Sequence, residues 1–60
     1  MTGEELTRIR AELGLNQETL AKFIGVNPTT ISNYEAGKRP IPLSVEKLLR
    51  IIAILLGENP

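Results

Sequence analysis

The stretch from Gln17 to Tyr34 constrains this chain most: two short apolar-patterned segments are separated by only three residues, Gly25-Val26-Asn27. The first segment opens at Gln17, behind Asn16 as a capping residue, and runs through Leu20, Ala21, Phe23 and Ile24 before stopping at Gly25. The second is announced by Asn27-Pro28, a preferred cap followed by a proline whose missing donor does no harm in the first helical position. It is expected to run to Ala36 and stop at Gly37, with Ile31 and Tyr34 on its inward face. A helix of about two turns does not persist alone in water, so each must be held by packing. Ala21 is small where the next helix has to cross closely, and Gly25 accepts a positive φ without steric cost. Leu20, Ile24, Val26, Ile31 and Tyr34 then close an inner side. Thr29, Thr30, Ser32 and Asn33 are left to face outward.

Two further helices complete the pattern. Leu6, Ile9 and Leu13 recur at three- and four-residue spacing, which predicts a helix over about 3–13 with one apolar stripe. Thr2 followed by Glu5 has the form of a capping box, and Gly14 stands where a left-handed cap is expected. Pro40 and Pro42 forbid helix across Lys38 to Pro42. A last helix is predicted over about 44–56, ending at Gly57. Its residues Val45, Leu48, Leu49, Ile52 and Leu56 share a face that should cover the core, together with Leu6, Ile9, Leu13, Leu20, Ala21, Ile24, Val26 and Ile31. Ile51, Ile54 and Leu55 point elsewhere, and exposed apolar residues grouped in this way mark an interface. Homodimerisation through the C-terminal half of this helix is therefore expected. With no strand pattern, repeat or linker, the chain reads as one domain over 1–60. Its expected fold is all-α and compact, four helices with room for a short extra turn, and a helix-turn-helix motif at about 17–36.

Composition narrows the chemistry. The 60 residues include no cysteine, no histidine and no aspartate. Disulfides, most zinc sites and the commonest catalytic base are thereby excluded. No nucleophile–base pair and no metal set can be assembled, so neither an enzyme nor a cofactor is expected. The acidic start, Met1-Thr2-Gly3-Glu4-Glu5, has the wrong character for a signal peptide. The longest apolar run, Ile51 to Leu56, is far too short to span a bilayer. A soluble cytoplasmic protein without membrane partners is the expectation. Seven basic residues balance seven acidic ones. Zero net charge counts mildly against a nucleic-acid role, unless the cations gather on one surface.

The run Leu13-Gly14-Leu15-Asn16-Gln17, followed by Leu20-Ala21, Gly25-Val26, Ile31-Ser32, Tyr34-Glu35 and Gly37-Lys38, resembles the lambdoid phage repressor and Cro family of helix-turn-helix proteins. The resemblance extends from about Leu6 to Leu56. It implies a lambda-repressor-like domain whose third helix lies in the major groove of double-stranded DNA and touches base edges. The matching base-reading positions are Pro28, Thr29, Thr30 and Asn33, of which Asn33 could bond adenine in a bidentate way. It also implies phosphate contacts from Asn16 and Gln17 at the start of the second helix, and from Lys38 and Arg39 beyond the third. A structural ion pair is implied between Arg10 and Glu35. The chain departs from the family in having no cation within the reading helix, which shifts weight to DNA shape and deformability.

The function so implied is transcriptional regulation, most simply repression by a homodimer on a two-fold operator with half-sites ~34 Å apart. The alternative is a protein-interaction module, such as the antitoxin of a toxin–antitoxin pair, with a toxin or other protein as partner. Neutral net charge, the apolar last helix and the cation-free third helix favour that alternative. Whether Arg8, Arg10, Lys22, Lys38 and Arg39 gather beside the third helix discriminates between the two.

Overall fold

In a computed structural model, which describes residues 1–57, the chain forms α1 (Gly3–Glu12), α2 (Gln17–Ile24), α3 (Pro28–Glu35) and α4 (Leu43–Leu56). Three of the four helices begin at a side chain that accepts from the free backbone donors. At α1 the backbone N–H of Glu5 donates to Thr2 Oγ1 at 3.1 Å, and the Thr2 N–H donates to Glu5 Oε1 at 2.8 Å. This is a complete capping box. Asn16 Oδ1 accepts from the Thr19 N–H at 2.7 Å to open α2, and Asn27 Oδ1 accepts from the Thr29 N–H at 2.9 Å to open α3. Pro28 takes the first helical position of α3. Only α4 lacks a side-chain cap; extended Pro42 precedes it.

The hinge between α2 and α3 depends on Gly25. It adopts φ +86°, and both its N–H and that of Val26 donate to the Ala21 carbonyl, at 2.8 and 3.0 Å. A side chain at this φ is strained, so glycine allows the turn to close within three residues.

The core is aliphatic. Leu6, Leu20, Ile31 and Leu49 are wholly buried, one from each helix, and Ala21, Tyr34, Val45 and Ile52 complete the cluster. The most extensive helix–helix contact is that of α2 with α3, followed by α1 with α3 and α2 with α4. Ile9, Leu13, Ile24 and Val26, expected inside, pack against the cluster but keep part of their surface in water. A domain this small has too little interior to enclose them.

Two features of α4 depart from its periodicity. Leu56, expected on the core face, is 47% exposed, while Ala53 is buried. The angular position of Leu56 is suitable, but the covered part of the helix ends at Ile52 and Ala53, so the last turn has little beneath it. No described helix is long and apolar enough to cross a membrane.

Gly3 is constrained by a distant part of the chain. A Cβ built on it would lie 2.4 Å from the carbonyl oxygen of Glu35 and 2.5 Å from that of Tyr34. The first turn of α1 therefore sits directly against the last carbonyls of α3, and backbone rather than a flexible side chain blocks any substituent. Gly3→Ala should lower stability by about 1–3 kcal/mol through overpacking, despite the better helix propensity of alanine. Denaturant melts test this, and an unchanged or raised midpoint would contradict the tight crossing.

Candidate nucleic-acid interface

The packing of α3 divides its side chains sharply. Ile31 and Tyr34 are buried against the other helices, so the opposite side of the helix must face solvent. Pro28, Thr29 and Ser32 are exposed there, and Thr30 and Asn33 are half-buried. None of the side chains of Thr29, Thr30, Ser32 and Asn33 is engaged in a hydrogen bond with the described residues. Three hydroxyls and one carboxamide thus stand on one rigid turn-and-a-half with donors and acceptors uncommitted. Pro28, with no N–H, offers only an apolar contact at the start of the helix.

The end of α3 is tied into the domain through Glu35, whose side chain is 8% exposed. Arg10 of α1 reaches it with two donors. Its Nε bonds Oε2, and its Nη2 bonds Oε1 at 3.2 Å. The remaining guanidinium nitrogen, Nη1, donates to the Leu15 carbonyl at 2.8 Å, bracing the connection between α1 and α2. Gln17, the first residue of α2, donates from Nε2 to Glu35 Oε1 at 2.9 Å. One carboxylate therefore joins α1, α2 and α3. Burial pushes the Glu35 carboxyl upward, but hydrogen bonds from Arg10 and Gln17, with the Arg10 charge, outweigh it and hold the group below its ordinary range.

Asn16 spends its Oδ1 on the cap of α2, which leaves its amide nitrogen uncommitted. Gln17 spends one N–H on Glu35, which leaves a second N–H and the carbonyl oxygen. Lys38 and Arg39 are exposed in the segment after α3, and the Lys38 N–H is fixed to the Asn33 carbonyl at 2.9 Å. Arg8 and Lys22 are exposed on α1 and α2. Arg10 is occupied internally, so of the cations considered, Lys38 and Arg39 are the exposed ones that directly continue α3. The single anion of α3 is neutralised by its partner. The outer face of the helix is thus polar and nearly uncharged, with two cations following its end.

A second surface lies at the far end of α4. Ile51, Ile54 and Leu55 are 52%, 58% and 74% exposed. Beside Ile54 a shallow groove of about 240 Å³ is lined by Ile9, Leu49, Arg50 and Ala53. Among the described residues no cluster of carboxylates could hold a metal ion.

The link from Gln17 to Glu35 has no signature in the sequence, because residues in different helices meet only after folding. Against this geometry, a family model described as helix-turn-helix matches residues 6–58, nearly the whole chain. No curated protein and no solved structure matches it.

The lowered carboxyl of Glu35 has a consequence for acid stability. Ionisation is favoured in the folded state, so the stabilisation is fully present above the ordinary value of 4.5 and is lost as pH falls through the folded value. The stability gap between the native chain and Glu35→Gln should therefore narrow on acidification below about 4.5. A gap that stays constant with pH in urea melts would contradict this assignment.

Proposed function

Since the chain belongs to the helix-turn-helix family of DNA-binding regulatory domains, we propose that it represses transcription as a homodimer seated on a two-fold operator, in the manner of the lambdoid repressors. The observation that carries this reading is the uncommitted polar face of α3, presented on a helix whose other side is locked into the core. In the major groove Asn33 pairs with adenine through its carboxamide, while Thr29 and Thr30 combine a hydroxyl bond with a methyl contact. Pro28 meets a thymine methyl. Asn16 and Gln17 at the start of α2, with Lys38 and Arg39 beyond α3, hold the phosphate backbone on either side. The reading helix has no cation, so discrimination rests on amide and methyl contacts and on the shape of the duplex.

Ile51, Ile54 and Leu55 form the dimer contact in this account, because a helix end apolar on its solvent side is relieved by a second copy. A second reading is favoured by the same surface: a module whose α4 docks on a protein partner, as in an antitoxin. Zero net charge also favours it.

Binding to duplexes selected from a random pool separates the two. Asn33→Ala should weaken binding to the selected site about 5- to 150-fold while leaving mixed-sequence DNA unaffected. Lys38→Ala should weaken both alike and reduce the salt slope by about one. If neither variant differs from the native chain on any duplex, the protein-docking reading prevails. Ile54→Lys should give monomers in sedimentation; an unchanged dimer would reject the proposed interface.

A further inference from the structure

Glu35 accepts more hydrogen bonds than its ion pair requires. Both carboxylate oxygens are taken by Arg10, yet Oε1 also accepts from Gln17 Nε2 at 2.9 Å. An ionised carboxylate has no donor, so Gln17 must present its NH2 group to it and keep its carbonyl oxygen away. The orientation of the Gln17 amide is thereby decided by Glu35. With Arg10 present the carboxylate is neutralised, and the trio can approach an anionic backbone without repelling it. Without Arg10 the same carboxylate would oppose a phosphate.

We infer that Glu35, held by Arg10, is the positioning residue that sets the Gln17 amide for contact with a DNA phosphate. This rests on the DNA-binding reading given above. The contact is a dipole aimed by a neutral network, so it adds affinity without releasing a counterion. That distinguishes it from the charge of Lys38, whose removal alters the salt slope. It also couples the grip on the backbone to the joint that holds α1, α2 and α3 together.

A double-mutant cycle on a short mixed-sequence duplex tests the inference, with thermal melts confirming that every variant is folded. In the native background Gln17→Ala should weaken binding about 3- to 10-fold, the range of one hydrogen bond, with an unchanged salt slope. The pair Arg10→Met with Glu35→Leu removes both charges together, so no ion is stranded and net charge is preserved. In that background Gln17→Ala should change affinity less than twofold. Glu35→Gln keeps an acceptor oxygen in place and should restore most of the dependence on Gln17; if the double replacement fails to fold, Arg10→Gln with Glu35→Met, which likewise removes both charges and the carboxylate, takes its place with the same expected loss of dependence. Equal cost of Gln17→Ala in all backgrounds would overturn the inference and leave DNA binding standing, as would no cost in the native chain. A native chain without salt-dependent affinity for any duplex would overturn both.

Discussion

The structure depends on the mutual packing of α2 and α3. Each is eight residues long, too short to persist unaided, and each becomes a helix because the other covers its apolar side. Leu20, Ala21 and Ile31 are essentially without exposure. The smallness of Ala21 suits a close crossing, and Gly25 returns the chain quickly enough to achieve it. Once Ile31 and Tyr34 are committed inward, helical geometry leaves Thr29 and Ser32 no direction but outward. The polar face is thus a by-product of the core.

The first helix acts as a brace. Its opening turn lies against the last carbonyls of α3 at Gly3, and its final turns send Arg10 to Glu35. A largely desolvated ion pair contributes little net stability, since losing water offsets much of the attraction. It is better suited to fixing geometry, because a misplaced α3 would strand both charges. The network ends at Gln17, so the same joint that orients the helices also reaches the edge of the candidate interface. The last helix shields the core with Val45, Leu49 and Ile52, then continues for a turn with no interior left to cover. That overhang gives the molecule its second surface.

Features dictated by near neighbours were legible in the sequence. Thr2 with Glu5, Asn16, Asn27-Pro28 and Gly25 each carry out a local task, and the helix limits follow to within a residue or so. Features dictated by distant parts of the chain were not. Gly3 looks like an ordinary first-turn residue until α3 is laid across it. The bond from Gln17 to Glu35 likewise needs three helices in place. Periodicity assigned Leu56 a correct angle but carries no information on where the core stops. Phe23 shows the same limit: it belongs to an apolar pattern, yet it is half exposed because α2 buries only a narrow stripe. The helix-turn-helix family was legible because small, glycine and apolar positions recur together from Leu13 to Lys38. The individual DNA contacts proposed rest on resemblance alone, since exposed threonines have no pattern of their own.

Titration of the isotope-labelled chain with a selected duplex, followed through backbone amide resonances, shows whether the polar side of α2 and α3 is the surface that meets DNA. The largest shifts should fall on Asn16, Gln17, Thr29, Thr30, Asn33 and Lys38, on one side of the paired helices. Shifts confined to Ile51–Leu55, or no shifts at any duplex concentration, would contradict this.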